Sequence, residues 1–208
     1  MGESADVDGE VFLVHVSNTV YNILSITVIY ITCMNFEQRL TGGYPNSLGN
    51  TLEVVDEVLG DKSKLEELYQ CYFSQDEVVR LRVSSAMKRL CIAHPDWVYP
   101  YTDRLLDEIS QIDQASTQWT LAILFRLLAD RLTLEQRKKA IIIMKKNLEH
   151  HHDWIVINYS METLFEWSKT DEELKEWLLP QLTRHQKSDK KSIKGRATKY
   201  LAWFAKHQ

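Results

Sequence analysis

The sequence predicts an all-α protein, a right-handed α-solenoid of about four to five antiparallel helix pairs. Three observations carry this. First, a short unit recurs as Arg82-Val83-Ser84, Gln118-Trp119-Thr120, Asn158-Tyr159-Ser160 and Arg196-Ala197-Thr198, at spacings of 36, 40 and 38 residues. Each copy has a polar residue, then an apolar one, then a small hydroxyl, within a run whose apolar residues follow helical spacing. Second, Gly and Pro number only 7 and 4 in 208 residues, too few for a turn-rich β protein. Third, the links between helical runs are two to four residues long, which joins antiparallel neighbours. Paired helices at such a period cannot bury their apolar faces alone, so they stack.

The elements follow in order. Residues 1–33 are acidic at the start (Glu3, Asp6, Asp8, Glu10) and then almost uncharged from Val11 to Cys33. This extension reads as dispensable, with Met34 as a natural start. The alternatives are a membrane anchor through residues 11–33, long enough to span a bilayer, or a helix packed on the array. Residues 34–50 read as a Gly-containing loop, and 51–208 as the repeat domain. The loop holds three of the seven glycines, but no G-K-[S/T] and no G-x-G-x-x-G accompanies them, so it reads as a turn and not a phosphate cradle.

A first helix runs through Leu52, Val55 and Leu59 to a stop at Gly60, and Leu65 to Phe73 mark a second. Ser74 is the expected cap of a third, which Pro95 ends. Asp96 opens the next, with Pro100 in its first turn. Further helices are expected from about Gln114 to Asp130, after Thr133 with a near capping box, and from Asp153 to near Lys169. Another follows Thr170, which forms an S/T-x-x-E box with Glu173, and carries Pro180, expected to kink it. The last begins near Asp189.

Within this pattern, residues 76–208 resemble HEAT repeats and, more loosely, armadillo-type arrays. Asp76-Glu77-Val78-Val79-Arg80-Leu81-Arg82-Val83-Ser84-Ser85-Ala86-Met87 is similar to the first-helix pattern of that family, in which acid, valine, arginine and alanine recur. The later copies keep the apolar spacing but carry Gln118 and Asn158 where the arginine stood. The resemblance implies a protein-binding scaffold in which a partner lies along the concave face. A branch of similar size, the alkylpurine DNA glycosylases built from HEAT-like repeats, uses a basic groove with tryptophans and an aspartate. Here Trp119, Trp154, Trp167 and Asp153 are present, but no position matches residue by residue, and no catalytic residue is assigned.

Charge and cysteines narrow the function classes. Residues 1–79 carry a net −10 and residues 80–208 a net +6, which gives the molecule an electrostatic direction. Three cysteines, Cys33, Cys71 and Cys91, with no C-x-x-C, argue against a disulfide framework and for a reducing compartment. Cytoplasmic localisation is the expectation, and membrane anchoring through residues 11–33 the alternative.

The candidate binding residues are a basic edge of Arg184, Lys187, Lys190, Lys191, Lys194, Arg196 and Lys199, interrupted only by Asp189. Such an edge suits phosphates, or else forms the polar cap of a terminal repeat. Arg82, Gln118, Asn158 and Arg196 form a polar ladder at the repeat period, read as structural. His150-His151-His152 reads as a helix C-terminus, because consecutive helical side chains diverge by about 100° and cannot share one ion. No metal or cofactor is expected. The reading is a non-catalytic scaffold for a protein partner; the alternative is a nucleic-acid-binding protein or glycosylase-like repair enzyme using a basic face.

Overall fold

The computed structural model describes residues 35–44 and 47–207. The acidic extension, the stretch 11–33 and Cys33 lie outside the described residues. Within them every regular element is helical, as the apolar spacing predicts. The first, α1, is Phe36–Leu40, capped by Asn35, whose Oδ1 accepts from the Gln38 N–H. Phe36 and Leu40 are buried in the core. The segment 34–50 is therefore not loop throughout: its first part is a helix, and the glycine turn begins after it. Two large apolar side chains four residues apart fold onto one face, which is what a short helix needs to dock.

Next come α2 (Thr51–Gly60) and α3 (Leu65–Gln70), then α4 (Glu77–Ala93), α5 (Pro95–Val98) and α6 (Thr102–Asp107). After these lie α7 (Ala115–Leu127), α8 (Leu134–His150), α9 (Trp154–Ser168), α10 (Glu172–His185) and α11 (Lys191–Lys206). The helices α2, α4, α7, α9 and α11 stack as one row, each on the next. The return helices α3, α6, α8 and α10 form the second row. This is the expected solenoid, four pairs and a final helix. One continuous core runs between the rows from Phe36 to Phe204.

The recurring unit earns its place by packing. Ser84, Thr120 and Ser160, on helices that pack against each other in the first row, are fully buried. Thr198, the same position on the last helix of the row, is exposed. Arg80 joins neighbouring repeats: its Nε donates to Gln114 Oε1 at 2.6 Å and its Nη1 to Ser74 O at 2.6 Å.

Several local expectations are corrected. Asp76, not Ser74, caps α4, and Asp171, not Thr170, caps α10. In each case a carboxylate lay one or two residues further on, and a charged acceptor at a helix N-terminus binds the free N–H groups more strongly than a hydroxyl does. The return helix after Pro95 is broken into α5, a 3-10 turn at Tyr99–Tyr101 and α6, because Pro100 supplies no N–H. Thr133 and Gln136 form the full capping box. α10 runs through Pro180 as one helix.

Candidate functional site

The polar ladder fixes the loops between repeats. Arg82 is 3% exposed and faces carbonyl groups only. Its Nη1 donates to Leu40 O at 2.6 Å, Gly42 O at 2.7 Å and Thr41 O at 3.3 Å, its Nε to Ser47 O at 3.2 Å and its Nη2 to Tyr44 O at 3.4 Å. The glycine turn thus wraps a guanidinium, with its carbonyls and not its N–H groups pointing inward. A Cβ on Gly49, whose φ is +49°, would sit 2.6 Å from Arg82 Cζ.

The next rung, Gln118, donates from Nε2 to Ser110 O at 2.9 Å and Ile112 O at 2.8 Å, and its Oε1 accepts from Asn147 Nδ2 at 3.0 Å. Asn158 donates to Trp154 O at 2.8 Å and Ser192 Oγ at 3.3 Å. Only the last two rungs touch, Arg196 Nη1 donating to Asn158 O at 3.4 Å.

The basic edge is divided by the fold. Arg184 Nη2 donates to Leu148 O at 3.2 Å, and His185 Nε2 donates to the same carbonyl at 3.0 Å, so both close the end of α8. Burial, only partly offset by that carbonyl, lowers the pKa of His185. Arg196 pairs with Glu162, which also pairs with Arg126. Burial by itself would raise the Glu162 carboxyl, but the two guanidiniums outweigh it and hold its pKa below the ordinary value. Lys187, Lys190, Lys191, Lys194 and Lys199 are exposed. Lys191 and Lys199 border a hollow with Arg196 and Glu162.

The tryptophans do not form one cluster. Trp167 is buried far along α9, beneath the Arg137 guanidinium at 4.8 Å from the ring centre. Asp153 Oδ1 accepts from the N–H groups of Ile155 and Val156, which engages it as the cap of α9. His150 ends α8 and His151 follows as its C-cap; His151 Nδ1 accepts from the Asp153 N–H.

What the fold does bring together is an aromatic groove on the first-row face. Trp119 of α7 and Tyr159 of α9 hold the same position in successive repeats, and their ring centres are 5.7 Å apart. Lys88 Nζ of α4 lies 5.2 Å from the Trp119 ring centre, and the Arg196 guanidinium of α11 lies 5.9 Å from that of Tyr159. The exposed Trp154 and the buried Asn158 complete the walls of a cavity of about 360 Å³. Burial, with a smaller contribution from Arg89, lowers the pKa of Lys88.

A family model described as "HEAT repeat domain" matches residues 36–176. The chain belongs to the HEAT repeat family. The match begins at α1, forty residues before the segment whose sequence carries the resemblance, and it covers the Arg82 clamp and all three aromatic residues of the groove. No curated protein and no solved structure matches the chain. HEAT membership fixes the architecture as a helical repeat array and makes the exposed faces of the two rows the surfaces of interest. Among the described residues no helix is long and apolar enough to cross a membrane.

Lys88, Trp154 and Tyr159 were not singled out as binding residues by the sequence. The available signal was the second position of the recurring unit, occupied by Val83, Trp119, Tyr159 and Ala197. Val83 and Ala197 are buried, while the two aromatic residues between them are half-buried and reach the surface.

Proposed function

We propose that this HEAT array is a non-catalytic scaffold that holds a protein partner on the face of its first-row helices. The observation that carries this is the groove of Trp119, Trp154 and Tyr159 between Lys88 and Arg196, which combines aromatic area with charged rims. Aromatic residues and arginine are the side chains that dominate binding energy at protein interfaces. Curved helical arrays offer long surfaces suited to such partners. The sequence reading placed the partner on the concave face; the present reading names the residues of the first-row face instead. The engagement of Asp153 as a cap and the burial of Trp167 count against a glycosylase-like centre built from them.

Affinity capture with the full chain from native lysate, at about 0.15 M ionic strength, tests the scaffold reading. A protein retained reproducibly is the expected result, and the absence of any retained protein contradicts it.

The nucleic-acid reading draws on one observation, the five exposed lysines of the C-terminal edge. It requires a gel shift that weakens steeply with salt. No shift at low salt removes it.

A further inference from the structure

The groove has two features that folding does not require. The first is the aromatic pair. At this position of the unit, Val83 and Ala197 show that a small apolar side chain packs fully. Trp119 and Tyr159 instead keep ring area at the surface, and Trp154 beside them is 47% exposed. The second is Lys88. It is half-buried against Trp119 and, among the described residues, forms no ion pair. A partly desolvated cation with no counter-charge is completed by an anion.

These features fix the chemistry of an occupant. It needs a flat apolar group for the ring walls and negative charge for Lys88. The cavity of about 360 Å³ has room for one large side chain. Its lining holds no acid, and with Arg196 paired to Glu162 it leaves Lys88 as the uncompensated cation, which disfavours a basic segment. The stripe stops at the neighbouring repeats, because Val83 and Ala197 are buried. A single-stranded nucleic acid uses successive stacking platforms along a continuous basic track, and this groove offers only one. An extended peptide rises about 3.3 Å per residue, so residues two apart on one face are separated by about 7 Å. The steps from Lys88 to Trp119, Trp119 to Tyr159 and Tyr159 to Arg196, at 5.2, 5.7 and 5.9 Å, are on that scale.

We propose that the groove binds an acidic protein segment with one central aromatic residue. The ring sits among Trp119, Trp154 and Tyr159, and a flanking carboxylate meets Lys88. The inference rests on the scaffold reading and adds the partner's chemistry to it.

The test uses the full chain and the Trp-free peptide acetyl-Asp-Glu-Phe-Glu-Asp-amide, followed by the chain's own tryptophan fluorescence. A saturable change is expected. Binding should weaken at least about tenfold when the central Phe is replaced by Ala, when the acids are replaced by Lys, and in the Lys88→Gln and Trp154→Ala variants. Both variants alter side chains outside the core, and their helical circular dichroism serves as the folding control. No saturable change up to millimolar peptide overturns the inference, as does equal binding by the two variants. A short oligothymidylate that displaces the peptide at lower concentration overturns it in favour of nucleic acid.

Lysate capture separates the two readings. If the wild-type chain and both variants retain the same protein equally, the scaffold stands and the groove inference falls. If the peptide binds but no protein is ever retained, the groove chemistry stands and the scaffold reading falls.

Discussion

Replacing Gly49 by alanine should release the Arg82 clamp without touching Arg82. Two effects add. Gly49 has φ +49°, a region that costs an L residue about 1–2 kcal/mol. The new Cβ would also lie 2.6 Å from Arg82 Cζ, so either the turn or the guanidinium must move. When it moves, the carbonyl most affected is Leu40 O, because Leu40 is fully buried while Thr41, Gly42 and Tyr44 are exposed and can turn to water. One buried carbonyl left without a donor costs about 1–3 kcal/mol. Gly49→Ala should therefore destabilise by about 2–5 kcal/mol. Arg82→Ala should fall in the same range, since it removes the same bond and leaves a gap under the turn.

The double variant discriminates. With Arg82 gone the clash is gone, and Gly49→Ala should then cost only its backbone contribution of about 1–2 kcal/mol. The cycle, measured by urea unfolding of the four chains, should show coupling of about 1–3 kcal/mol in the direction of less than additive loss. Additivity to within about 0.5 kcal/mol would refute the clamp.

Three further expectations can be checked on the same material. Glu162→Gln leaves Arg126 and Arg196 without their shared carboxylate and should destabilise by about 1–2 kcal/mol near neutral pH. Because the native pKa of Glu162 is lowered, its contribution is present above the unfolded value of 4.5 and is lost as pH falls through the native one. Wild-type and variant unfolding curves should thus converge in acid, and a difference that persists at pH 2–3 would contradict the pairing. In a Cys33→Ser chain, Cys71 and Cys91 should resist Ellman's reagent at pH 8 until urea is added, because burial pushes both thiols up to about 12; prompt labelling of the native chain would contradict this. Pro180 is exposed inside α10 and denies the Glu176 carbonyl its donor, so Pro180→Ala should raise the thermal midpoint by an amount equivalent to about 1–3 kcal/mol, and a lowered midpoint would show that the ring packs to advantage.

The row of helices was legible because its signals are local. Apolar spacing, the capping box at Thr133 and the stop at Gly60 each act within a few residues, so the sequence displays them directly. The errors came where two local signals competed, as with Ser74 against Asp76 and Thr170 against Asp171. The first helix, α1, was hidden because five residues are too few to show a period. Arg82 was visible as a recurring position, but its partners lie about forty residues earlier in a turn whose glycines suggested a different ligand. The basic edge was visible as composition, yet composition does not reveal that Arg184 closes α8 or that Arg196 pairs with Glu162. The groove was half-legible: Trp119 and Tyr159 share a register position. Lys88 stands six residues past Arg82, outside that register, and only the stacking of α4 on α7 brings it over the ring.

The most direct test of the whole account is hydrogen exchange on the complex between this chain and a captured partner. A partner held on the first-row face should slow exchange in α7, α9 and the first turns of α11, around Trp119, Tyr159 and Arg196, and leave α8 and α10 unchanged. Protection confined to the second row, at Leu134–His150 and Glu172–His185, would place the partner on the opposite face and contradict the assignment of the groove.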